Sequence, residues 1–562
     1  MDHKNIEIIR VPRFQSYHAV FLLALACGVI YWRIIGFDFY VTGERMLNGQ
    51  STPVSFAVWG ILENLASQLT GIASNTAVFH FVNLTLHWLN SISVYFLLLF
   101  LFGAVNTVPA FLGSVFFAVH PIQAESVAWV YGIKELIACA AGLAAVRFAL
   151  NDIERPALRG YLACLAFFIL ALLSNPQMLA LPLVVLALHW CRPSCNWVQA
   201  RRTLAPWCGV GAIAFVALLI FQSRAQSYQP VAGVPYWFRP FEVLANISVY
   251  TGAVAFLRPL STGPIHSIRS YWSSAWFWCL ALSSLLGLVV IYRLRFRYPI
   301  LFAAVGVGVA GVLGVLGFVA FPQQIVSDVA DHYAYFSMVG ASIIFAAAAM
   351  VWTGPRALVT ALTLLLICAT VTCRRLPNWS SRLAYSYARL DVNPDNAFFQ
   401  SDTGVVLIEQ GQVAAGIWHL AEAQGLDPEN TVHLRNLEIA YVYAGEVSNL
   451  LRTYRAHLKA KPNQAVVSYE LGNLLLMQGE VESGVKELRR AVELDATLKT
   501  HEFVLGEYLM ASRPKYNVNL DALKKGAELL PDVESVRRVA AISESLKKWP
   551  NLFKVPAPEF IR

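Results

Sequence analysis

Charge is scarce in this sequence. Asp, Glu, Lys and Arg make up 14% of its residues, where an ordinary soluble domain carries about a quarter. Most of that charge lies after Cys373, which excludes one soluble globule and points to a membrane region, residues 1–375, followed by a soluble region. A disulfide framework is lacking as well. None of the nine cysteines lies beyond Cys373, so the soluble region does not depend on disulfides. Cys191 and Cys195 flank "RPS" without the second pair that would complete a metal site. There is no basic stripe: the net charge of +8 is scattered as arginines between apolar runs, which argues against nucleic acid as a partner. The first apolar run lacks a small-residue cleavage site and reads as a transmembrane helix, not a signal peptide.

Long apolar runs are abundant, with 57% hydrophobic residues overall. Runs of about 17–25 residues cross a bilayer as helices. Spans are expected near 19–37, 76–103, 107–119, 127–149, 160–174, 177–191, 205–222, 275–293, 299–321, 334–352 and 357–373, eleven in all, with 244–257 as a further or re-entrant piece. Basic residues in short loops set the orientation. Lys4, Arg10, Arg13, Arg155, Arg159, Arg192, Arg201, Arg202, Arg293, Arg295, Arg297 and Arg356 fall on the side of the N-terminus, which is therefore cytoplasmic. An odd count puts the soluble region outside, although Arg374 and Arg375 after the last span favour the inside. The outer side then receives residues 37–75, "HPIQAES", "SNPQ", residues 222–274 and "QQIVSDVADHY". The polar features of the membrane region gather on one face.

Periodicity organises the remainder. Pro394, Pro428 and Pro462 are 34 residues apart, as are Gly411, Gly445 and Gly479. A 34-residue period with Pro after the second helix and Gly between helices is the tetratricopeptide signature. The expected architecture is all-α: a polytopic region to residue 375, a connecting helix over 376–396, three repeats over 397–496 and an irregular helical cap over 497–562. Such a stack either braces the protein or holds a peptide or partner protein in its groove.

Several polar residues interrupt the apolar framework. Asp38 ends the first span, where a carboxylate can act as a general base on a hydroxyl or bind a divalent ion with Glu125. His80, Asn83 and His87 share a helix face continued by Asn90, a pattern that suits hydrogen bonding between helices as well as chemistry. His120 and Glu125 bracket a turn in "FFAVHPIQAES". Lys134 and Glu135 are expected two to three turns inside the next span, about 100° apart and so not an automatic ion pair, facing protein or a wet cavity. Asp328, Asp331, His332, Tyr333 and Tyr335 lie at the mouth of the tenth span.

Together "FHFVNLTLHWLN", "FFAVHPIQAESVAWVYGIKELIA" and "VADHYAYFSMVG", followed by the repeats, resemble the transmembrane and tetratricopeptide repeat-containing O-mannosyltransferases. The resemblance spans the chain and implies a C-fold glycosyltransferase. Such an enzyme moves a mannose-like sugar from a polyprenyl- or dolichyl-phosphate carrier to a hydroxyl of an extracytoplasmic protein. It assigns Asp38, Glu125 and His120 to catalysis, with inversion. Lys134, Glu135, Asp331, His332, Tyr333, His80, Asn83 and His87 fall to substrate binding. A divalent metal, Mg or Mn, is compatible with it. The motifs are degenerate: Phe39 replaces a second acid, Gln123 a histidine, Asn175 and Gln177 stand in a motif that normally carries a base and an acid, and His332 replaces an arginine. Lost charge on a preserved framework also fits an inactive relative that anchors the repeats as a scaffold. The expected location is a bacterial inner membrane with the repeats outside it, the alternative being the endoplasmic reticulum.

Overall fold

The computed structural model describes residues 16–38, 52–70, 75–192, 196–224, 235–258, 260, 274–318, 329–428, 430–501, 503 and 518–548. Asp328, Arg45, Arg269 and part of the expected cap lie outside the described residues. All regular structure among the described residues is helical, in two units, Met1–Val392 and Asn393–Arg562.

In the first unit each of the eleven expected apolar segments contains a helix among the described residues. Six helices are long and apolar enough to cross a membrane: Ser16–Gly36, Thr76–Phe102, Val130–Glu154, Trp197–Ile220, Ala275–Leu294 and Pro355–Trp379. The other five are apolar helices of 10–17 residues. Val130–Glu154 is 67% buried and forms the centre, packed by Thr76–Phe102 and Leu158–Ser174, whereas Trp197–Ile220 and Ala275–Leu294 are only 17% buried. Exposed Phe21, Val29, Leu282, Leu286 and Leu366 line the outer helices, an apolar surface that suits lipid.

Glycine sets two of the close approaches. A Cβ on Gly340 would lie 2.4 Å from the Ala304 carbonyl oxygen, and one on Gly132 would lie 2.1 Å from that of Ser126. The second contact permits a local fold that the sequence pattern does not show. The expected span from 127 breaks into a short helix, Gln123–Ala128, a 3₁₀ turn, Val130–Gly132, and the regular helix Ile133–Glu154. Lys134 and Glu135 therefore open the regular helix and do not lie two to three turns inside it. Residues 53–70, expected as loop, also form a helix, which buries Ser55, Trp59, Leu62 and Ala66.

The second unit repeats helix hairpins: Ala397–Glu409 with Val413–Leu426, Thr431–Ala444 with Val447–Ala460, and Ala465–Gln478 with Val481–Leu494. Gly411, Gly445 and Gly479 take φ of +82°, +80° and +99° between the helices of each pair, a left-handed conformation that only glycine adopts cheaply. The first and third hairpins close on glycine. A Cβ on Gly404 would lie 2.8 Å from the Gly416 carbonyl oxygen, and one on Gly472 would lie 2.9 Å from that of Gly484. In the second hairpin the corresponding residues are Glu438 and Leu450, with Tyr454 where its neighbours have Leu420 and Leu488. All three are buried, and they wedge the second pair much further apart.

Candidate functional site

The short helix Gln123–Ala128 and the turn after it are pinned from the side by the Thr76–Phe102 helix. Asn83 Nδ2 donates to the Trp129 carbonyl at 2.9 Å and to that of Val127 at 3.4 Å. Further along the same face, His87 bonds Tyr335 Oη at 2.8 Å and the Ala118 carbonyl at 3.0 Å, and Asn90 Nδ2 donates to the Leu136 carbonyl at 3.0 Å. Asn83, His87 and Asn90 thus bind helices together. His80, at the start of this face, is 1% exposed, and neither ring nitrogen has a hydrogen-bond partner among the described residues.

His80 meets Asp38 in a small cavity of about 10 Å³, lined also by Ala128, Trp129, Val130, Trp379, Ser381 and Tyr385. That is room for about one water-sized group. Asp38 follows the 3₁₀ turn Trp32–Gly36, and its backbone N–H donates to the Ser380 carbonyl at 3.0 Å. The segment after the last long helix therefore forms one wall. Trp379 packs against Tyr385 in a tilted pair at 4.7 Å between centroids and lies 6.3 Å from Trp129.

Trp129 joins the cavity to a buried set of charges. Its ring is 5.2 Å from that of His332, and Lys134 Nζ lies 5.6 Å from its centroid. Glu125 is saturated by His332: Oε2 accepts the backbone N–H at 3.0 Å and Oε1 meets Nδ1 at 2.9 Å. Asp331 Oδ1 accepts from the Leu260 N–H at 2.9 Å, while Oδ2 lies 3.7 Å from Arg375 Nη1. Arg375 donates to the Leu257 carbonyl as well. Lys134 Nζ is 3.7 Å from Glu135 Oε1. The adjacent residues, which spacing alone does not oblige to pair, form an ion pair. Three acids thus face three bases, and a buried carboxylate without such a partner would be costly.

His120 stands apart from the cavity. Its Nε2 donates to the Val254 carbonyl at 3.1 Å, and its Nδ1 accepts the Ile122 N–H at 3.3 Å, so both nitrogens hold the turn. Tyr333 packs on His332 at 4.1 Å, and its carbonyl accepts from Gln177 Nε2 at 2.7 Å. Gln177 also donates to the Gly311 carbonyl, and Gln123 Nε2 to that of Phe117. Gln123 and Gln177 are therefore structural donors, and Asn175 Oδ1 accepts the Gln177 N–H at 2.9 Å. Sequence reasoning missed Trp129, in an apolar stretch, and Trp379 and Tyr385, in the polar segment after the last span, and it took Arg375 for a topological signal. Among the described residues no three His, Cys, Asp or Glu side chains form a ligand set for a metal ion. Each Glu125 oxygen accepts one hydrogen bond from His332, which ties that carboxylate to the fold.

These features define an all-helical protein that joins apolar helices of membrane-spanning length to a unit of repeated helix hairpins. No family model matches the chain, and no curated protein does. Among solved structures, the crystal structure of the yeast Tom70 covers 78% of this chain and 85% of its own, at 12% identity and a TM-score of 0.19, a likeness too low to carry an argument.

Proposed function

We propose that the first unit is an integral-membrane glycosyltransferase that moves a mannose-like sugar from a polyprenyl-phosphate carrier to a hydroxyl of an extracytoplasmic protein held by the repeats. The observation that carries this proposal is the cavity itself. Exposed Asp38 and buried His80 both line it, together with the aromatic residues Trp129, Trp379 and Tyr385. The resemblance to the tetratricopeptide O-mannosyltransferases assigns Asp38 the same role.

In the reaction the acceptor O–H donates to Asp38, and its oxygen attacks the anomeric carbon. The bond from that carbon to the carrier phosphate breaks with inversion, and the proton ends on Asp38. Lys134, whose Nζ lies 5.6 Å from the Trp129 centroid, would offset charge on the departing phosphate. Glu125 and Asp331 act indirectly, holding His332 and Arg375 in place. No step runs through a metal. Arg375 is turned to Asp331 and Leu257 inside the fold, while Arg374 after the last span still favours the inside. The other basic residues favour repeats outside the cytoplasm, with a bacterial inner membrane as the setting.

One observation favours a silent scaffold instead: every acid of the buried set already faces a base, leaving little free positive charge for a phosphate. Mass spectrometry of exported glycoproteins, with and without the protein, separates the two. A transferase loses defined glycosylated sites with the gene and regains them with wild type, but not with Asp38→Asn. A scaffold leaves glycosylation unchanged.

A further inference from the structure

At the end of the Ile133–Glu154 helix remote from Lys134 and Glu135, two guanidinium groups share one ring. The central carbon of Arg147 lies 3.8 Å from the Phe100 centroid and that of Arg192 lies 4.2 Å from it. Arg147 and Phe100 both belong to helices long and apolar enough to cross a membrane. Only one carboxylate serves the two cations, because Glu154 forms its ion pair with Arg192. Arg147 has no carboxylate within ion-pair distance among the described residues.

Arg147 precedes the helix end at Glu154 by roughly 10 Å at 1.5 Å per residue. At that depth an unpaired guanidinium is costly, and a long side chain relieves the cost by reaching headgroup phosphate. The ring of Phe100 holds each guanidinium by its flat face; Arg147 keeps its N–H edge to donate, while Arg192 also pairs with Glu154. Nearby, Trp190 packs with Trp197, Phe296 and Phe302. Arg201, Arg202, Arg293 and Arg297 are exposed. Aromatic residues and arginines together mark a membrane–water boundary. Phe96, one turn deeper than Phe100, and Phe148, next to Arg147, are exposed at 46% and 39%. They offer an apolar surface to acyl chains beside the cations.

We propose that Arg147 and Arg192, set around Phe100, bind the phosphate of an anionic phospholipid in the leaflet opposite the Asp38 cavity. The site rests on membrane insertion of the first unit and is independent of any transferase activity. A free phosphate ion would gain the charge contact alone, whereas a phospholipid also covers Phe96 and Phe148.

The test uses the full chain purified in a neutral detergent. Its thermal midpoint is followed against dioleoylphosphatidylglycerol, dioleoylphosphatidylcholine and inorganic phosphate, and native mass spectrometry counts retained lipid. The phosphatidylglycerol should raise the midpoint and be retained, with the other two much less effective. Arg147→Gln should raise the half-saturating concentration about fivefold, as expected for one basic residue at a charged surface, while Arg452→Gln, exposed in the repeat unit, leaves it unchanged. Phe100→Leu keeps the apolar bulk, removes the ring and should weaken retention in the same direction; it serves if Arg147→Gln does not fold. Equal effects of phosphatidylcholine or inorganic phosphate, or wild-type half-saturation in both variants, would overturn the site. Release of the chain from membranes by alkaline carbonate would instead overturn membrane insertion.

Discussion

Replacing Glu470 by glutamine should remove a penalty that the repeat unit carries at alkaline pH. Glu470 and Glu438 share one arginine. Arg435 Nη1 is 3.1 Å from Glu438 Oε2 and 3.9 Å from Glu470 Oε1. Both carboxyls are 5% exposed, and Glu470 Oε2 has no hydrogen-bond partner among the described residues. Burial, with Glu438 beside it, pushes the Glu470 carboxyl up to about 8, against the opposing pull of Arg435. Burial raises Glu438 too, and burial beside both acids holds the Tyr454 phenol well above its ordinary value. Between the unfolded value of 4.5 and about 8, the folded chain holds a proton that the unfolded chain has lost, so stability falls as pH rises through this window. A carboxyl displaced that far withholds at most roughly 5 kcal/mol above pH 8.

The amide keeps the shape and cannot ionise. Glu470→Gln should match wild type near pH 5 and exceed it at pH 9 by about 2–4 kcal/mol, most of that ceiling. Hydrogen exchange read on peptides from 431–478, as protection factors corrected for intrinsic rate, isolates this unit from the membrane helices. Wild-type protection should decline from pH 5 to 9 while the variant stays level. Parallel declines in both proteins would refute the shared-arginine account.

Other consequences follow from the first unit. Gly132→Ala would place a Cβ 2.1 Å from the Ser126 carbonyl oxygen, so the thermal midpoint in detergent should fall by the equivalent of about 1–3 kcal/mol or more. His332→Ala leaves Glu125 buried without its cation, and the same measurement should show a loss of about 3–5 kcal/mol; His332→Arg, which keeps a cation there, should recover much of it.

The repeats were legible because their signal is local and periodic. Glycine at a left-handed position recurs every 34 residues whatever surrounds it. The wedge in the second hairpin was legible only in part: Tyr454 stood at a large-residue position, but its meaning needed Glu438 and Leu450 at the glycine positions. The apolar segments were plain from composition. The break before Ile133 was not, since it depends on Gly132 fitting against the Ser126 carbonyl, a contact without periodicity. The helix Pro53–Thr70 did carry a signal, an apolar face through Trp59, Leu62 and Ala66, obscured by the polar loop around it. In the site, Asp38, Glu125 and His332 stood out as charge within apolar sequence. Trp129, Trp379 and Tyr385 did not, because an aromatic residue that walls a cavity and one that fills a core look alike in sequence. Arg375 was legible only as a loop arginine counted for topology, and only the fold shows it turned towards Asp331.

The central claim is that the Asp38 carboxylate accepts the acceptor proton in sugar transfer. Membranes containing the protein, supplied with a radiolabelled polyprenyl-phosphate sugar and a serine- and threonine-rich acceptor, should release labelled product. Asp38→Asn, isosteric and unable to take the proton, should lower the rate by about 10²–10⁴-fold with unchanged protein level and thermal midpoint. Wild-type transfer by Asp38→Asn, or no transfer by either protein with any polyprenyl-phosphate sugar, would contradict the account.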